Sequence, residues 1–120
     1  MITENYVSFE VAKLLKEKGF NYTVHQYYKE NGEVCNNPKS VASWRIKTWC
    51  PCATLQMARK WLRETHRIDI IIEISDPSVK DRKYYCMIWD GNNNSYILDL
   101  FNSYEEAVEV AIKYCLEDLI

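Results

Sequence analysis

The sequence predicts an α+β fold in which an antiparallel sheet of about four to five strands carries three helices, packed mainly on one face, in the order α-β-β-α-β-β-β-α. The hydrophobic period changes from helical over residues 53–67 to alternating over residues 68–74 with almost no connector. Short turns join most of the predicted strands, which favours antiparallel pairing. A length of 120 residues fits one domain, so we expect a single domain over residues 1–120.

The first predicted helix begins after Ser8, a good N-cap residue, and extends to about Lys18. Gly19 is expected to end this helix because glycine adopts the left-handed conformation readily. Residues 22–29 are rich in Tyr, Thr and Val and predict the first strand.

Asn31-Gly32 predicts a two-residue hairpin turn, because both positions tolerate positive φ. Residues 36–52 contain two prolines and predict a long loop with a short strand over residues 43–48. The second helix is expected over residues 53–66, where apolar residues recur at helical spacing.

Three strands and a helix are predicted in the second half. The strand over residues 68–75 alternates isoleucines with mostly polar residues, as a half-buried strand does. A strand over residues 82–89 and a strand over residues 96–100 flank a turn at residues 90–94. Ser103-Tyr104-Glu105-Glu106 is a capping box and opens a helix to about Asp118.

The strand over residues 82–89 is apolar on both sides, which is typical of a central strand covered on both faces. One face would present Ile71, Tyr85, Met87 and Trp89, and either the long loop or a second copy of the chain would cover them. Nine tyrosines and four tryptophans add to the residue types that are enriched at interfaces. The first hypothesis is therefore a non-enzymatic protein-interaction or self-assembly module, with a homodimer as one form.

The uneven charge distribution supports an alternative, a weak nucleic-acid-binding domain. Residues 39–67 hold seven basic residues and one acidic residue, whereas residues 95–120 hold one basic residue and six acidic ones. A basic helix face beside an aromatic and basic loop could hold phosphates and stack bases. The candidate residues are Arg59, Lys60, Arg63, Arg67, Trp44 and Trp49. The net charge of −2 opposes this hypothesis, because nucleic-acid-binding domains are typically basic.

No cofactor, metal site or catalytic residue is predicted. Cys50 and Cys52 are separated by one residue, which is closer than the usual spacing of paired zinc ligands, although Cys35, His25 and His66 could complete a ligand set. The five cysteines are expected to be reduced thiols. No residue set combines a nucleophile, a base and an orienting group.

A cytoplasmic location is expected. The N-terminal residues lack the basic and apolar regions of a signal peptide. The longest apolar run, residues 84–89, is far shorter than a membrane span.

Three segments carry a resemblance to a known family: residues 6–20, residues 54–66 and residues 111–117. They resemble a family of small uncharacterised proteins from Bacteroides-type gut bacteria, often associated with prophages or mobile elements. The resemblance implies a cytosolic α+β domain of bacterial or phage origin and implies no activity. Cys50 and Cys52 depart from the family pattern, so a metal role there would not be a family property.

Overall fold

Helices and antiparallel strands confirm the predicted α+β fold class, and their order matches the prediction except for one additional short strand before the second helix. The computed structural model describes residues 5–36, 49–75, 78, 80 and 83–120. The chain divides into two compact units, Met1–Trp61 and Leu62–Ile120. The elements are α1 (Phe9–Glu17), β1 (Gln26–Tyr28), β2 (Val34–Asn36), β3 (Cys50–Pro51), α2 (Leu55–His66), β4 (Asp69–Ile74), β5 (Tyr84–Trp89), β6 (Ser95–Phe101) and α3 (Tyr104–Tyr114).

The described strands form two sheets of three, in the orders β2-β1-β3 and β4-β5-β6, rather than the single sheet that the sequence predicted. In the first sheet, β1 pairs antiparallel with both β2 and β3. β3 spans two residues and includes Pro51, which has no backbone N–H to donate, so this strand ends its sheet. The strand predicted over residues 43–48 lies outside the described residues.

Helix α1 begins and ends as its sequence predicts. The Ser8 hydroxyl accepts a hydrogen bond from the Val11 N–H at 3.3 Å. Gly19 has a φ of +91°, and the Phe20 N–H donates to the Leu15 carbonyl, a Schellman ending. Phe20 is buried and packs edge-on against Trp61, with ring centroids 5.5 Å apart.

The first hairpin has a three-residue loop, not the predicted two-residue turn. The Lys29 N–H donates to the Glu33 carbonyl and the Gly32 N–H donates to the Lys29 carbonyl. Gly32 alone has a positive φ, +85°, because the loop is a type I turn followed by one left-handed residue. The second hairpin repeats this geometry, with Asn93 as its left-handed residue at a φ of +67°.

Helix α2 begins two residues later than predicted. The Thr54 hydroxyl accepts a hydrogen bond from the Met57 N–H at 3.0 Å and so caps the helix. Thr65 follows Leu55, Ala58 and Leu62 at helical spacing, yet it is exposed whereas those three residues are buried. The helix is followed by Arg67, whose φ of +57° is in the region that helix-ending glycines usually occupy.

In the second sheet, β5 is the central strand and pairs antiparallel with β4 and β6. Its inner face carries Cys86 and Ile88, both fully buried, and α3 packs against the sheet. The Ser103 hydroxyl accepts a hydrogen bond from the Glu106 N–H, as the capping box predicts. The chain continues beyond α3 as a π-helical turn over Cys115–Leu119.

Candidate protein interface

The four interface residues predicted from the sequence lie on one side of the second sheet, here called the outer face. The central cross-strand row is Ile71–Met87–Ile97, since Ile71 pairs with Met87 and Met87 pairs with Ile97. Trp89 and Tyr85 lie on either side of Met87 along β5. Directly paired residues of antiparallel strands point to the same face, so these five side chains form one apolar group.

The outer face is partly open to solvent. Ile71 is 40% exposed, Trp89 is 39% exposed and Ile97 is 60% exposed, while Met87 and Tyr85 are half-buried. Within the described part of the chain, the inner face of β5 is covered as expected, whereas its outer face is only partly covered. A cluster of exposed large apolar side chains is the usual mark of an interaction surface.

Ile97 was missed as an interface residue, although its strand is apolar on both sides in the sequence. Leu100 was missed for a different reason. Tyr85 pairs with Asp99 whereas Tyr84 pairs with Phe101, so Leu100 is the extra residue of a β-bulge. Strict alternation would place Leu100 inward with Leu98, yet Leu100 is 59% exposed because the bulge shifts the alternation.

Acidic residues border the outer face on β4. Asp69 pairs with Trp89 and Glu73 pairs with Tyr85, and both acidic side chains are exposed. The central row between them carries no charged residue. The face thus has an uncharged central row, with two exposed carboxylates along its β4 edge.

Asp90 begins the turn between β5 and β6, which lies at one end of the outer face. Its carboxylate accepts hydrogen bonds from the Asn92 N–H at 2.8 Å and the Asn94 N–H at 3.1 Å. These bonds lower the pKa of Asp90, with the Asn92 amide contributing most. The turn that joins β5 to β6 is therefore held by a charged acceptor.

The residues predicted to bind nucleic acid have unequal surroundings. Lys60, Arg63 and Arg67 are exposed, and Arg59 is half-buried. Trp49 stacks on Tyr27, with ring centroids 3.4 Å apart and planes at 10°. This stack occupies one face of the indole that a base would need. Trp44 lies outside the described residues.

The thiols considered as metal ligands contact other partners. Cys52 is buried, and its Sγ donates to the Gln26 side-chain oxygen at 4.0 Å. Burial raises the pKa of Cys50, while Lys16 and Lys13 oppose that shift. Across the described residues, no group of three or more His, Cys, Asp or Glu side chains forms a candidate metal site.

A surface depression of about 340 Å³ lies at the first hairpin and is lined by Lys29, Glu30, Asn31 and Trp49. These four residues do not include a cysteine, serine or histidine that could act as a nucleophile or base.

Comparison with known proteins gives no indication of function, so the functional assignment depends on the physical features of the chain. No protein-family model matches the chain, and no curated protein or solved structure matches it. No described helix combines the length and the hydropathy that a bilayer crossing requires.

Proposed function

We propose that the protein is an interaction module, rather than an enzyme, and that it associates with a second copy of itself through the outer face. The observation that carries this proposal is the uncharged row Ile71–Met87–Ile97, with Trp89 beside it and three of the four side chains substantially exposed. Removing such surface from water is favourable at about 25 cal/mol per Å² of apolar area.

A second copy is the simplest partner for this surface. In a two-fold symmetric contact, each patch faces its own duplicate, so the patch must not bring like charges together at its centre. The central row meets this condition, because its three residues are uncharged. The carboxylates of Asp69 and Glu73 lie at the β4 edge, where they can remain hydrated. The resemblance to a bacterial, prophage-associated family adds a cytoplasmic bacterial setting to the proposal.

Light scattering across a concentration series tests the self-association. We expect the wild-type mass to rise above that of one chain with concentration. The double variant Ile71→Lys/Trp89→Lys, here called the face variant, should have a lower mass at every concentration, because each charge would be desolvated in the contact. Val34→Lys is the matched control, since Val34 is 47% exposed and lies in the other unit.

Two results would contradict the proposal. One is a wild-type chain that remains a strict monomer at millimolar concentration. The other is a face variant that keeps the wild-type mass while the Val34→Lys control loses it, which would place the contact in the other unit.

The second candidate function is weak nucleic-acid binding by α2, favoured by the exposure of Lys60, Arg63 and Arg67. Phosphate contacts release counterions, so binding to a labelled single-stranded oligonucleotide should weaken steeply as salt is raised. Neutralising Arg63 by Arg63→Gln should reduce the salt slope by about one if this residue contacts a phosphate. Absence of binding to DNA and RNA at low salt removes this candidate.

A further inference from the structure

The outer edge of β6 has a backbone geometry that follows from the hydrogen bonds at the two ends of β5. β6 is the last strand of the β4-β5-β6 sheet among the described residues. Among the described residues, Ile97 has the highest exposure of the large apolar side chains, at 60%. An edge strand has one row of backbone N–H and C=O groups without a strand partner, and this row can pair with another chain.

The residues that carry this free row follow from the pairing alternation. The Asp90 N–H donates to the Asn94 carbonyl at 3.0 Å, which closes the hairpin. Hydrogen-bonded and non-hydrogen-bonded pairs alternate along antiparallel strands, so Tyr96 and Leu98 direct their backbone groups toward β5. Ser95, Ile97 and Asp99 pair with Trp89, Met87 and Tyr85 at non-hydrogen-bonded positions. Their N–H and C=O groups therefore point away from the sheet.

The opposite edge of β5 gives an independent check of this alternation. The Ser75 N–H donates to the Lys83 carbonyl at 2.9 Å, so Met87, four residues along β5, is hydrogen-bonded to β4. A β5 residue whose groups point to β4 cannot also bond to β6. Both hydrogen bonds thus assign the same outward-pointing residues on β6.

We propose that two copies of the chain pair antiparallel through their β6 edges, about a two-fold axis at Ile97. In this register Ile97 pairs with Ile97 of the partner subunit, and Ser95 pairs with Asp99 of the partner subunit. Each residue whose backbone groups point away from the sheet then pairs with such a residue of the partner subunit. Ser95, Ile97 and Asp99 each contribute one N–H and one C=O, so all six groups on each edge are hydrogen-bonded between the chains. The inference rests on the proposed self-association and specifies one of its contacts.

The register is self-complementary in charge and in hydrophobicity. The register sets Asp99 opposite Ser95 of the partner subunit, so it does not pair two acidic residues. The Ile71–Met87–Ile97 row continues into the same row of the partner subunit, which forms one apolar stripe across six strands. The bulge at Leu100 ends the regular pairing, so the contact covers Ser95 to Asp99.

The β4 edge is less suited to the same contact. Asp69 and Glu73 place two carboxylates along it, and charged side chains on an edge strand discourage pairing. A two-fold axis at Ile71 would set Asp69 against Glu73 of the partner subunit, which is a pair of like charges. Face contact and β6 contact together would produce a tetramer with two different two-fold interfaces.

Amide hydrogen exchange measured by NMR on the face variant isolates the edge contact. At high protein concentration we expect the amides of Ser95, Ile97 and Asp99 to slow at least about tenfold relative to dilute protein, because they become hydrogen-bonded between chains. The amides of Tyr96 and Leu98 should be protected at both concentrations. Fast exchange of the three outward amides at both concentrations overturns the proposal. Equal protection at both concentrations also overturns it, because the edge would then be covered within one chain.

A proline substitution at Ile97 gives a second test of the proposed backbone hydrogen bonds between the two β6 edges. Ile97→Pro removes one outward N–H without removing a β5–β6 bond, and prolines are tolerated on edge strands at such positions. In the face variant it should raise the dissociation constant of the dimer about tenfold or more, while the control Ile97→Val should change it less than about threefold. A monomeric face variant refutes the edge contact and leaves the face contact standing. A face variant that stays dimeric regardless of Ile97→Pro refutes the edge register alone.

Discussion

Two isoleucines on opposite faces of the second sheet test directly which face is buried and which is exposed. Ile88 is fully buried on the inner face, whereas Ile97 is 60% exposed on the outer face. Ile88→Ala should lower the free energy of unfolding by about 2–5 kcal/mol, through lost burial and the cavity that remains. Only about two-fifths of Ile97 is shielded, so Ile97→Ala should cost on the order of 1 kcal/mol, including the lower strand preference of alanine.

Urea unfolding, followed by circular dichroism, measures both values. The experiment should be run at low micromolar protein concentration, where self-association is weak. The slope of the free energy of unfolding against urea concentration should be the same for both variants. At high concentration the cost of Ile97→Ala should rise and that of Ile88→Ala should not, because association stabilises only the chain that retains the interface. This difference connects the stability measurement to the proposed contact.

Equal costs for the two variants at low concentration would refute the reasoning. Such a result would mean that Ile97 is buried in a single chain in solution, and the outer face would then have no free surface to offer a partner. A cost below about 1 kcal/mol for Ile88→Ala would instead refute the assignment of the inner face.

Three further predictions concern the turns and the buried thiols. Gly19→Ala should cost about 1 kcal/mol from its φ of +91° alone, because no atom lies within 4 Å of the added methyl group. Gly32→Ala should cost more, because that methyl group would lie 3.2 Å from the Phe9 ring; urea unfolding compares the two, and equal costs would contradict the contact. The hydrogen bonds from Asn92 and Asn94 hold the pKa of Asp90 below its ordinary value, so this carboxylate stabilises the folded chain above the unfolded-state pKa, and its contribution is lost as pH falls through the folded-state pKa. An NMR titration checks the direction, and an Asp90 value at or above the ordinary one would contradict it. Burial raises the pKa of Cys115 to about 12, so native protein at pH 8 should resist iodoacetamide at this thiol while urea-unfolded protein reacts; mass spectrometry of the peptides distinguishes the two.

Local chemistry determined much of the secondary structure. The ends of α1 follow from Ser8 and Gly19, and the start of α3 follows from Ser103, because capping involves backbone groups within a few residues. The alternation of β4 also appears in the sequence, and it is met over the first part of the strand: Ile68 and Ile70 are buried and Ile72 is half-buried, whereas Ile74 at the end of the strand is 36% exposed. The four outer-face residues were predictable because the strand period of two assigns their side.

Other features depended on pairs of residues far apart in the chain. Nothing local to Leu100 indicates that it is the bulged residue, since the bulge is defined by how β6 is aligned with β5. The stack of Trp49 on Tyr27 likewise joins residues that are 22 positions apart in the chain.

The sequence alone determined the helices and most of the strands, because these depend on near neighbours and on a fixed periodicity. Tertiary structure alone decided that the described strands divide into two sheets, that the hairpin loops have three residues and that Ile97 lies on the last described strand of its sheet. The physical reason is that strand pairing selects among competing registers through contacts between distant segments, and a one-residue change of register reverses the side of every residue that follows.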